Sequence, residues 1–108
     1  MWAQLITLDV KAEKVTDLPA MYAHLQAIEQ PNSGLVRTSV FQDAKNPTRA
    51  YVLVVFASEE QARARERDPR RAQGLAELQV LMAEMLDGAP QFVDLTVLRD
   101  LASAPPAP

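Results

Sequence analysis

One histidine, two tyrosines, a glutamine near the start and a crowd of arginines are the side chains of this chain best suited to chemistry. His24 is the single histidine. A neutral imidazole can take a phenolic proton near physiological pH, so His24 is a candidate general base. Its other role is that of a half-buried histidine at the edge of a helix stripe. Alone, without a carboxylate cluster, it is not a metal site, because zinc wants three or four ligands. Tyr22 and Tyr51 can each offer a hydroxyl to a ligand, or simply satisfy it on the backbone while the rings pack. Gln4 can orient a ligand oxygen, or remain an exposed amide at a strand end. Arg63, Arg65, Arg67, Arg70 and Arg71 are interleaved with Glu59, Glu60, Glu66 and Asp68. Such alternation makes a solvated helix face. The functional reading is that Arg65, with Arg70 beside it, reaches over a cleft mouth and pairs with an anionic or enolate oxygen. Without cysteine there is no thiolate nucleophile, thiolate metal site or disulfide.

The elements that must position these groups follow from periodicity. A first strand runs from Trp2 to about Lys11, with Ile6, Leu8 and Val10 on one face and Leu5, Thr7 and Asp9 on the other. Thr16 or Asp17 can cap a helix that accepts Pro19 in its first turn and carries Leu18, Met21, Tyr22, Leu25 and Ile28 as its apolar stripe. Pro31-Asn32-Ser33-Gly34 ends it. A second strand spans 35–42, a hairpin loop 43–48 and a third strand 49–57. Ser58-Glu59-Glu60-Gln61 has the pattern of a capping box and opens a short helix. Asp68-Pro69 starts a last helix with Leu75, Leu78, Leu81, Met82, Met85 and Leu86, which Gly88 and Pro90 stop. A fourth strand covers 91 to about 99, with Val93, Leu95 and Val97 expected on the helix side and Phe92 and Leu98 opposite. Residues 101–108 read as a loose Pro/Ala tail after a single domain over 1–100.

The order strand, helix, strand, strand, helix, strand predicts an α+β fold: a ferredoxin-like split βαβ sandwich, its antiparallel sheet covered by helices on one side. The run Tyr51-Val52-Leu53-Val54-Val55-Phe56 contains no polar residue, and a strand shows its residues alternately to two faces. Both faces of the sheet therefore need cover. The chain's own helices supply one; a second copy, paired through the helix-free face, is the simplest source of the other. At 108 residues, 48% hydrophobic and 23% charged, the composition is that of one globular domain. A net charge of -3 argues against a general nucleic-acid binder. No apolar run approaches the roughly 20 residues of a membrane helix, and Met1-Trp2-Ala3-Gln4 does not open a signal peptide, so a soluble cytoplasmic protein is expected.

The segment from Gly34 to Pro69 carries a resemblance. Gly34-Leu35-Val36, a polar hairpin, the apolar run through Phe56-Ala57-Ser58-Glu59-Glu60-Gln61-Ala62, and then Asp68-Pro69 resemble the antibiotic biosynthesis monooxygenase family. The resemblance implies a dimeric α+β barrel, in which two ferredoxin-like sheets close one barrel. It places Phe56, as a cleft-lining ligand contact, where many members carry Trp, and Arg65 where many carry His or Trp. Haem-degrading members put a histidine ligand early in the last helix; here Ala72-Gln73-Gly74-Leu75 offers none, which argues against haem breakdown. Quinone-forming members hold a polyaromatic phenol that reacts with oxygen itself, so the resemblance implies no cofactor. The expectation is a cofactor-independent monooxygenase acting on a small aromatic or apolar molecule. Catalytic roles would fall to His24 and Arg65, and ligand contacts to Gln4, Tyr22, Tyr51 and Phe56. The alternative is a non-catalytic binding or assembly module on the same scaffold.

Overall fold

The computed structural model describes residues 1–101. The expected tail falls, Leu101 apart, outside the described residues. The chain forms β1 (Trp2–Asp9), a 3-10 turn (Ala12–Asp17), α1 (Leu18–Ala27), β2 (Leu35–Gln42) and β3 (Arg49–Phe56). Then come α2 (Glu59–Glu66), a 3-10 turn (Pro69–Arg71), α3 (Ala72–Met85) and β4 (Gln91–Thr96). The four strands make one antiparallel sheet in the order β2-β3-β1-β4. This is the split βαβ arrangement: the two strands that flank each helix are separated in the sheet by a third. The sheet is open within one chain.

Local signals explain most boundaries. Asp17 stands at the N-cap of α1 but makes no side-chain cap bond; the preceding 3-10 turn leads the chain in, and Pro19 occupies the first turn. Ser58 caps α2 as expected, its hydroxyl accepting from the Gln61 N–H at 3.1 Å. Asp68 caps the turn before α3 by accepting from the Arg70 N–H at 2.9 Å. Gly34, at φ 85°, takes a left-handed conformation that a side chain resists, and it bonds through its carbonyl to the Ala57 N–H.

The register sorts the sheet into two faces, since directly paired residues point the same way. Toward the helices lie Trp2, Leu8, Val52, Val54 and Phe56, packed with Leu18, Met21, Leu78 and Met85 into one core. The other face carries Ala3, Leu5, Tyr51, Leu53, Val55 and Phe41. The β1 assignment therefore stands, but β4 reverses the expectation. Phe92 pairs with Ile6 on the helix side, whereas Val93 and Leu95 pair with Leu5 and Ala3 on the helix-free side. The physical reason is that β4 is an edge strand that the helices do not pack over: Phe92 stays exposed, and Asp94 is held by Gln4 and by Arg63 of α2. Its apolar alternation marks the face the helices do not cover.

That second face is only partly covered by its own chain. Beyond Thr96 the backbone crosses the sheet, and Asp100 reaches Arg37 on the far edge strand at 3.7 Å. Ala3 and Val55 are buried beneath this crossing, beside a cleft of about 470 Å³. The crossing segment turns Leu98 outward, 93% exposed. Leu95 lines that cleft and stays 38% exposed, and Phe41 and Val93, outside its lining, are each 50% exposed.

Candidate functional site

The helix-side residues of β1 and β3 meet α2 at one end of the sheet. Trp2 and Phe56 are register partners, and their rings lie 6.0 Å apart at 50°. Arg63 and Arg65, two residues apart on α2, reach down on either flank of the helix to cover one ring each. The Arg63 guanidinium is 5.0 Å from the Trp2 ring centre and that of Arg65 is 5.2 Å from the Phe56 ring centre. Both are in range for a cation held on an aromatic face.

Each arginine is fixed by carboxylates. Arg63 donates to Asp94 Oδ2 and Glu66 Oε1, both at 3.0 Å. Gln4 donates to the other oxygen of Asp94 at 3.0 Å. The Gln4 amide, and then Arg63, hold the Asp94 carboxyl below the usual range. Arg65 grips Glu29 from two nitrogens, Nη2 at 2.6 Å and Nε at 2.9 Å to Oε2. Ser33 Oγ donates to Glu29 Oε1 at 2.6 Å. The Arg65 and Glu29 side chains are only 15% and 20% exposed. Burial pushes the Glu29 carboxyl up, but hydrogen bonds from Arg65 and Ser33, with the charges of Arg65 and Arg71, outweigh it and leave the carboxyl below its ordinary value.

The sequence candidates separate in space. Phe56 and Arg65 are in contact, and Gln4 joins them through Asp94, Arg63 and Trp2. His24 lies elsewhere on α1, its Nε2 bonded to the Gly74 carbonyl of α3 at 2.9 Å. A carbonyl only accepts, so Nε2 carries the proton and Nδ1 is the nitrogen able to take one. Tyr22 packs half-buried against the core, and burial pushes its hydroxyl up. Tyr51 points to the helix-free face beside Thr7 and Phe41, so it does not share a helix–sheet cleft with Tyr22. Arg70 is tied to Asp68, with Nη2 at 2.7 Å, and is not over the rings.

Five members of the cluster were not singled out as site residues from sequence: Trp2, Glu29, Arg63, Asp94 and Arg71, the two arginines being named only within the charged run. Trp2 was in phase with Ile6 and Leu8 and could have been found that way. Glu29 and Asp94 stand 36 and 31 residues from their arginine partners, and nothing local marks such a pairing. Besides the cleft at the strand crossing, a second depression of about 430 Å³ lies at the end of α3 near Met82, Leu86 and Pro90. Neither is lined by His24, Phe56 or Arg65. Among the described residues no three His, Asp or Glu side chains are grouped to hold a metal, and no helix is long and apolar enough to cross a membrane.

Fold and site together define an α+β domain with one helix-covered sheet face. The sequence profile of the family described as antibiotic biosynthesis monooxygenase matches residues 1–77, and the chain belongs to that family. Solved structures agree on the fold. SnoaB, a cofactor-independent oxygenase from Streptomyces nogalater solved as a single-substitution variant, superposes with a TM-score of 0.73 at 13% identity. That match covers 94% of this chain and 97% of SnoaB. A Nitrosomonas europaea protein of unknown function gives 0.73 at 19% identity, covering 95% and 94%. A conserved protein from Methanosarcina mazei gives 0.68 at 18%, covering 88% and 91%. Among curated proteins none matches significantly.

Proposed function

We propose that the protein is a cytoplasmic homodimer that binds a small aromatic molecule under α2 and oxidises it with dioxygen without metal or flavin. The observation that carries this reading is the Arg65 guanidinium, stacked 5.2 Å over the buried Phe56 ring and bridged to Glu29. It is the place beneath the helices where aromatic surface and a fixed cation coincide, which suits an aromatic ligand with an acidic oxygen. In the reaction, a ring CH₂ of an anthrone-type phenol loses a proton to His24 Nδ1 or to a water. The carbanion bonds one atom of O₂, and the O–O bond breaks with loss of water, leaving a carbonyl. Arg65 stabilises the phenolate and the developing negative charge, with Gln4, Tyr22 and Phe56 as ligand contacts. Tyr51, on the other face, serves as a contact only where a dimer partner brings a ligand to it.

A second reading, a non-catalytic binding or assembly module, is favoured by one specific feature. Both proposed catalytic side chains already have structural partners: His24 Nε2 on Gly74, and Arg65 on Glu29. Oxygen uptake with anthrone-type phenols separates the two. An enzyme consumes oxygen above the buffer rate, and His24→Ala or Arg65→Ala lowers that rate about 100-fold. Unchanged rates in folded variants would refute these roles. Absence of turnover with one apolar dye bound per subunit would establish the module.

A further inference from the structure

Among the described residues Arg71 is the one buried charged side chain, 6% exposed. Its Nε has no hydrogen-bond acceptor among the described residues, and its Nη1 reaches only the Arg65 carbonyl, at 3.4 Å. Buried polar groups are nearly always paired, and a buried guanidinium is expensive without a counter-charge. The carboxylates around it are already engaged. Glu29 is held by Arg65, Asp68 by Arg70 and Glu66 by Arg63. Arg65 bonds the half-buried Glu29 carboxylate, and Arg71 feels the charge of Glu29, and of Asp68 and Glu66, without a hydrogen bond to any of them. The charge of Arg71 acts in turn on Glu29.

We propose that Glu29, Arg65 and Arg71 form an exchange site for the oxyanion of an aromatic acid: the ligand's carboxylate or phenolate takes Arg65, and Glu29 turns to the Nε of Arg71. The inference rests on the aromatic ligand proposed above and adds the ligand's charge and the residue that makes room for it. Without Arg71, an anion arriving at Arg65 would strand Glu29 half-buried beside a second negative charge. With Arg71, two cations face two anions. The stacking of Arg65 on Phe56 keeps its guanidinium beside the ring on which an aromatic ligand would lie.

Calorimetric titration at pH 7 with 2-naphthoate and its neutral counterpart 2-naphthylmethanol tests this. The wild type should bind naphthoate at least tenfold more tightly than the alcohol. Arg71→Met should abolish the preference while leaving the alcohol's affinity unchanged, and Arg71→Lys should restore part of it. Naphthoate, but not the alcohol, should shift the Nε–H resonances of both Arg65 and Arg71; this readout needs no variant and stands even where Arg71→Met fails to fold. Equal affinities for the two probes, a preference that survives Arg71→Met, or an Arg71 resonance that does not move would each overturn the exchange. If the alcohol binds and the preference is missing, the aromatic site stands and the role of Arg71 falls. If neither probe binds, both fall.

Discussion

Glu29 and Arg65 show what a single pair contributes when it is mostly shielded from water. Two short bonds from one guanidinium, with a serine hydroxyl on the second oxygen, hold a carboxylate that burial alone would disfavour. Removing the cation leaves the half-buried carboxylate with the Ser33 hydroxyl alone bonded to it, so Arg65→Met should cost on the order of 2 kcal/mol in denaturant unfolding, and Glu29→Gln less, because its amide oxygen still accepts. The sign with pH follows from the depressed carboxyl. The stabilisation is complete above the unfolded value, about 4.3, and is lost as pH falls through the lower folded value. In melts between pH 7 and pH 3, Glu29→Gln should therefore show a shallower acid loss of Tm than the wild type; parallel curves would refute the assignment. Of this site, Arg65 and Phe56 were legible in the sequence because the helix pattern and the family motif marked them. Glu29, Asp94 and Arg71 were not, because their partners come from distant segments and only the fold brings them together.

At the scale of elements, the α1–α3 crossing is set by a glycine. A Cβ at Gly74 would overlap the Ile28 Cγ2, and the carbonyl of the same residue accepts the His24 bond. Gly74→Ala would ordinarily favour a helix by roughly 1 kcal/mol. Here the overlap with a β-branched side chain of few rotamers should reverse the sign and destabilise by about 1–2 kcal/mol. Ile28→Ala in the same chain should remove that penalty, as a double-mutant cycle by thermal melting would show. The cap of α2 is a simpler case: Ser58→Ala should cost about 1 kcal/mol. Both α2 and its cap could be read directly from Ser58-Glu59-Glu60-Gln61. The facing of β4 could not. Its sequence alternates Val93 and Leu95 with Asp94 and Thr96, and alternation alone says that one face is covered without saying by what. The polar partners Gln4 and Arg63 settle that Asp94 faces the helix side.

At the scale of the whole molecule, element order and the unbroken apolar run of β3 were sufficient for the split βαβ sheet, because right-handed crossovers leave few other arrangements. The sequence pattern runs β4 on to about residue 99; instead the strand ends at Thr96 and the chain crosses the helix-free face, held at its far end by the Arg37–Asp100 pair. It covers one end of the helix-free face only. Beside and beyond the crossing the same face carries the half-buried Leu5 and Leu53 and the exposed Phe41, Val93 and Leu95, an apolar surface of the kind that partners cover. In the homodimer proposed above, a second copy related by a twofold axis would bring the same surface to meet it and close two open sheets into one barrel. A charge at its centre is incompatible with that burial, so Leu53→Glu should give a folded monomer. Sedimentation equilibrium at micromolar concentration tests the pairing most directly. We expect the wild type at twice the 11.9 kDa of one chain and Leu53→Glu at the single mass; a wild type that sediments as one species of 11.9 kDa would contradict it.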